Sequence, residues 1–89
     1  MIINNITLEW LGHSFFKIKN DKVVYIDPFQ IPEGAEKADI ILITHSHYDH
    51  CSIADISKIA KDGTIVLCPA DCQSAITKLE QRINMQVIE

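Results

Sequence analysis

A chain of 89 residues makes one domain at most, with a thin or shared core, because a short chain buries a smaller share of its surface than a full-sized domain does. Hydrophobic residues at 47% and charged residues at 22% exclude a chain disordered over most of its length. Twelve acidic residues against eight basic ones give a formal charge of -4 and leave no Lys/Arg stripe for a nucleic-acid backbone, which disfavours a general DNA or RNA binder.

The opening "MIINNITLEWLGH" has neither the basic leader nor the unbroken apolar run of a secretory signal. No later stretch reaches the roughly 18 apolar residues that cross a bilayer, so a cytoplasmic protein without a membrane span is expected. "ITLEWLG" alternates Ile6, Leu8 and Trp10 with Thr7, Glu9 and Leu11, the period of a half-buried strand. "FFKIK" reads as a second strand with Phe16 and Ile18 facing opposite to Lys17 and Lys19, Asn20-Asp21 supplies a turn, and "VVYID" returns. "KIKNDK", the one concentration of positive charge, is then a solvated hairpin surface.

Pro28, Pro32 and Gly34 make residues 28–38 a surface connection. "ADIILIT" is apolar at Ile40, Ile41, Leu42 and Ile43 without alternation, as in a strand covered on both faces. Ser52 with Asp55 approximates a capping box, and Ile53, Ile56, Ile59 and Ala60 mark one side of a helix that Gly63 can end. "TIVLCP" reads as a short buried strand. Asp71 can cap a second helix in which Cys72, Ala75, Ile76, Leu79 and Ile83 recur at helical spacing, before "MQVIE" begins a last strand. The expected class is α/β: antiparallel hairpins followed by strand-helix-strand-helix-strand, with helices on one face of the sheet and another layer opposite. Cys51, Cys68 and Cys72 fit neither a disulfide framework nor a four-cysteine zinc site and are expected to be reduced packing thiols.

The chemistry concentrates in "THSHYDH". His45 and His47 are two apart, so in extended backbone both imidazoles project to one side, with Cα positions about 6 to 7 Å apart, suiting one metal. Asp49 and His50 lie in the following bend, where they can converge on a neighbouring position. Imidazole and carboxylate suit zinc first, with manganese, iron or nickel as further fits, and the lack of thiolates argues against a purely structural zinc knuckle. A coordinated metal brings the pKa of water toward neutrality, and Asp49 is the candidate to orient that water or accept its proton. Thr44 either hydrogen-bonds the loop that presents these ligands or packs at the strand end.

"THSHYDH" resembles the signature of the metallo-β-lactamase superfamily, and "GHSFFKI", "VVYIDPF" and "ADIILITHSHYDHCS" resemble its metal-dependent hydrolase branch, related to L-ascorbate-6-phosphate lactonase and to phospholipase D enzymes acting on N-acyl phosphatidylethanolamine. The resemblance implies that His45 and His47 bind a first metal and Asp49 and His50 a second. It matches Asp27 to an early aspartate that fixes a histidine or the metal-bearing loop by hydrogen bonding, although a turn-forming acid before Pro28 is the plain alternative. It also brings His13 toward the rim of the active site, against the alternative of an ordinary packed or surface histidine. Residues 1–89 are expected to be an incomplete domain, the N-terminal part of a four-layer αββα sandwich whose later segments complete a two-metal site. The implied activity is hydrolysis of a small phosphodiester, ester or lactone; a fragment acting as an oligomeric interaction module that covers its open sheet is the competing expectation.

Overall fold

Alternation and β-branched content produce strands at every position where the sequence indicates one, and the described residues form a single seven-stranded sheet. The computed structural model describes residues 2–3, 6–10, 15–28, 30–44 and 53–88. The strands are β1 (Ile2–Ile3), β2 (Ile6–Trp10), β3 (Phe16–Lys19), β4 (Val23–Ile26), β5 (Ile40–Leu42), β6 (Ile65–Pro69) and β7 (Asn84–Ile88), and their order in space is their order in the sequence. β1, absent from the sequence expectation, pairs Ile3 with Ile6. Pairing is antiparallel from β1 to β4 and parallel from β4 to β7. The β3–β4 turn runs through residues 20–22, where the Asn20 N–H donates to the Lys22 carbonyl at 3.0 Å.

Parallel strands need crossovers, and two of these carry helices. Helix α1 (Ile53–Ile59) precedes β6, burying Ile56 and Ile59 on the face that the spacing predicts. Gly63 follows in a turn at φ +94, a conformation that costs a residue with a Cβ about 1 kcal/mol, and its N–H donates to the Arg82 carbonyl at 2.8 Å. The second helix is shorter than its periodicity suggests. A 3-10 turn (Ala70–Cys72) leads into α2 (Gln73–Ile76), which tightens at once: the Lys78 and Leu79 N–H groups reach back only three residues, to the Ala75 and Ile76 carbonyls. Asp71 lies inside the 3-10 turn, neither flanking residue caps with its side chain, and Ile83 belongs to the approach to β7. Leu79 and Ile83 face the core without helical backbone, so their spacing mimicked a helix.

The two faces of the sheet differ. Val23, Tyr25, Ile41, Val66 and Cys68 point toward the helices and join Phe15, Ile31, Ile43, Ile56, Ile59, Cys72 and Ile76 in one buried cluster. On the opposite face, register aligns Leu8, Ile18, Val24, Ile40 and Ile65 in one row and Trp10, Phe16, Ile26, Leu42 and Leu67 in the next. These ten positions carry no charge, yet they remain half-exposed and Trp10 is 66% exposed. β5 is therefore covered on its helix face only, where its continuous apolar run suggested cover on both. The unbroken apolarity fits cover on both faces, which the described residues do not supply.

At the other end of the sheet, Asp39 fastens the start of β5 to β4. Its Oδ2 accepts the Val23 N–H at 2.8 Å, its own N–H donates to the Val23 carbonyl at 2.8 Å, and Lys61 Nζ lies 3.0 Å from Oδ1. The Val23 N–H first, and Lys61 second, hold the Asp39 carboxyl below the usual aspartate range. A carboxyl lowered on folding contributes stability that is complete above its unfolded pKa and fades as pH falls through the folded value. The stability gap between the parent chain and Asp39→Asn, measured by urea unfolding, should therefore be widest near about pH 6 and shrink toward about pH 3. A gap that widens in acid would contradict this assignment.

Candidate metal centre

Because β4, β5 and β6 are parallel, their C-terminal ends emerge along one edge of the sheet, the edge at which open α/β sheets place their ligands. Asp27 directly follows β4, and Thr44 stands two residues beyond the end of β5. The ladder continues past the strand ends: the Asp27 N–H donates to the Leu42 carbonyl and the Ile43 N–H to the Leu67 carbonyl, both at 2.8 Å. Asp27 is buried, 3% exposed, and its carboxylate takes hold of Thr44 twice. Oδ1 accepts the Thr44 N–H at 2.7 Å and Oδ2 accepts the Thr44 hydroxyl at 2.6 Å.

Thr44 is the residue before His45. The buried carboxylate thus fixes both the backbone and the side chain at the point where the chain enters "HSHYDH". Asp27 does so from φ 50 and Gln30 follows at φ 57, two non-glycine residues in the left-handed region within four positions. Such backbone costs of order 1 kcal/mol or more per residue, persists only where its surroundings impose it, and concentrates at functional sites.

His45, His47, Asp49 and His50, together with His13 and Cys51, lie outside the described residues. No group of three or more His, Cys, Asp or Glu side chains is gathered among the residues that are described. What the structure contributes is the frame: a fixed entrance at Thr44, and an exit at Ile53, where α1 begins. The remaining thiols do not compete for a metal. Cys68 and Cys72 are buried in the apolar cluster, and burial, reinforced by Cys72, pushes the Cys68 thiol up, favouring the protonated form.

Sequence reasoning missed the long-range role of Asp55. Read with Ser52, which lies outside the described residues, as part of a capping box, it also reaches across the fold, its carboxylate accepting the Gln30 and Ile31 N–H groups at 2.9 and 2.8 Å. A carboxylate in the first turn of a helix can serve the helix end or a distant segment, and only tertiary structure reveals the second. Beside this contact lies a cavity of about 280 Å³ bordered by Phe15, Lys17, Tyr25, Ile31 and Glu36. Its polar groups engage one another: Lys17 Nζ stands 3.0 Å from Glu36 Oε1, and the Tyr25 hydroxyl donates to the Glu36 carbonyl at 2.8 Å.

The family model described as the Beta-lactamase superfamily domain matches residues 7–88. A UPF0173 metal-dependent hydrolase of Thermoplasma acidophilum is 37% identical over 85 residues, which span 88% of this chain and 37% of that protein. Another, from Archaeoglobus fulgidus, is 33% identical over 88 residues, 91% of this chain and 36% of the relative. A third, from Methanoculleus marisnigri, is 48% identical over 54 residues, 57% of this chain and 24% of the relative. The crystal structure of a candidate metal-dependent hydrolase from Parabacteroides distasonis superposes with a TM-score of 0.75 at 28% identity, over 85% of this chain and 36% of that one. The chain thus spans between a quarter and two-fifths of the length of these relatives.

Proposed function

The chain belongs to the metallo-β-lactamase superfamily and has its α/β fold, and from that premise we propose that it carries the first part of the active site of a metal-dependent hydrolase. The observation that carries the reading is the Asp27 carboxylate, buried at a strand end and bonded to Thr44 immediately before the His45–His50 array. His45 and His47 hold one divalent ion, Asp49 and His50 a second, and the complete domain binds both. Zinc is the first choice, with manganese, iron or nickel as further fits. Once bound, such ions supply the positive charge that polarises a phosphoryl, ester or lactone oxygen and acidifies water.

The chain's own residues do the rest. Asp49 orients the attacking water and takes its proton. Asp27 fixes the entrance of the ligand segment, and His13 stands at the rim of the site. The substrate is a small molecule with a phosphodiester, ester or lactone bond, and the setting is the cytoplasm. No helix among the described residues is long and apolar enough to cross a membrane. Metal analysis of the 89-residue chain, together with phosphodiester and lactone assays on the longest natural product, tests this reading. Bound divalent metal and turnover abolished by chelation are expected; metal-free protein with undiminished turnover would end it.

A second reading is favoured by the uncharged open face of the sheet: the chain assembles with further copies through Leu8, Ile18, Val24, Ile40 and Ile65. Sheets pack about 10 Å apart through such faces, and a lysine at the centre of one would bury a charge without a partner. Ile18→Lys should then weaken self-association at least ~10-fold, a loss of about 1.4 kcal/mol, in sedimentation equilibrium. Equal association by both chains would sink the interaction reading and leave the hydrolase untouched.

A further inference from the structure

One side chain of α1 ties that helix to the connection that follows β4. Asp55 is buried, 7% exposed, and its two oxygens accept consecutive backbone donors, Oδ1 from Ile31 and Oδ2 from Gln30. Lys58, one turn further on, completes the grip. Its Nζ donates to the Ile31 carbonyl at 2.8 Å and lies 3.8 Å from Asp55 Oδ1. Successive N–H groups around a left-handed residue form a concavity for an anion, and here the anion is supplied by the chain itself at Gln30, φ 57.

The consequence concerns residues 45–52. Their entrance, Thr44, is bonded to Asp27, and their exit, α1, is bonded through Asp55 to residues 30 and 31. Both anchors meet at one short stretch, 27–31: the Asp27 carboxylate reaches from it to Thr44, and the Asp55 carboxylate reaches to it from α1, so the two together constrain the distance that the eight-residue segment must bridge. Loosening either anchor lets one end of the segment drift relative to the other. Ligand arrays tolerate little of this, since about 0.5 Å of misplacement already degrades a metal or catalytic site.

We propose that Asp55 is a positioning residue for the 45–50 ligand array, holding α1 to the Gln30–Ile31 backbone and so fixing the span across which His45, His47, Asp49 and His50 are presented. The proposal rests on the reading of those four residues as metal ligands. Asp55 touches neither metal nor substrate in this scheme; it acts through the helix.

Cobalt(II) titration, followed by the visible absorption of the bound ion, tests the idea together with amide hydrogen exchange at Gln30 and Ile31. Asp55→Asn is expected to lose protection at both amides and to weaken Co²⁺ binding ~10-fold or more, the scale on which outer partners of metal ligands act. The control is Thr64→Val, which removes the hydroxyl bonded to the Ala38 carbonyl and the Lys61 N–H, away from the ligand edge. It should lose comparable stability in urea while its Co²⁺ affinity stays within about 2-fold, because it moves neither anchor. Should Asp55→Asn fail to fold, Asp55→Glu keeps the charge and both acceptors while displacing the helix by a methylene, and weaker Co²⁺ binding is expected of it too. Unchanged affinity in the Asp55 variants, with the amides exposed, would reduce Asp55 to a stabilising contact and leave the ligand assignment standing. The titration is made on the longest natural product; if that parent binds no Co²⁺ although Gln30 and Ile31 are protected, the ligand reading falls, and this inference with it.

Discussion

Replacing His45 and Asp49 together by alanine is expected to strip the protein of bound metal and to lower hydrolysis by at least ~10³-fold, a barrier increase of about 4 kcal/mol. The pair takes one ligand from each proposed ion and, with Asp49, the group assigned to handle the proton of the attacking water. Losses within such a unit are not additive, so either single variant should already account for most of the fall. Metal content is read on the 89-residue chain, and turnover on whichever product of the gene cleaves a phosphodiester or a lactone. Hydrolysis by the double variant comparable to the parent would refute the assignment of these residues.

Asp27→Ala is expected to show the next largest effect, and its cost has three separable parts. The Thr44 N–H and hydroxyl both lose their acceptor, at about 1 kcal/mol or more apiece where water cannot fully replace it. Alanine must also hold φ 50, which aspartate and asparagine tolerate better and glycine tolerates freely. Together these predict a stability loss of roughly 2–4 kcal/mol in urea unfolding, with metal affinity reduced ~10–100-fold as the entrance to the ligand segment loosens. Asp27→Gly separates the parts: it relieves the backbone but still lacks the carboxylate, so it should recover some stability and no metal affinity. Asp27→Asn keeps one acceptor and the backbone preference and should fall between. If Asp27→Ala loses stability and binds metal as the parent does, Asp27 is a turn residue before Pro28 and nothing more.

Much of the fold could be read from the chain because its signals are local. Alternation in residues 6–10, β-branched content in 23–26 and the continuous apolar run at 40–43 each reflect how one strand meets its layers, and each became a strand. Helix α1 followed from Ile53, Ile56 and Ile59 together with Gly63. The second helix was overestimated because Leu79 and Ile83 reach the core from irregular backbone, and periodicity reports burial rather than backbone conformation. The site reading rests on other signals. The residue types of "HSHYDH" carry the proposal of metal chemistry, and Asp27 was singled out by the family resemblance, with a turn-forming acid before Pro28 as the alternative; its two bonds to Thr44 came from the structure. The anchoring role of Asp55 could not be found that way, since the backbone N–H groups that it holds lie 24 and 25 residues away and carry no mark in a sequence.

The agreement between strand order in space and strand order along the chain bears on how the protein is made. Each strand, as it leaves the ribosome, meets an edge already built by the one before it, so the sheet can lengthen in step with translation without waiting for a distant partner. The antiparallel hairpins, closed over few residues, can therefore template the slower parallel additions, and every intermediate keeps one sticky margin until the following strand arrives.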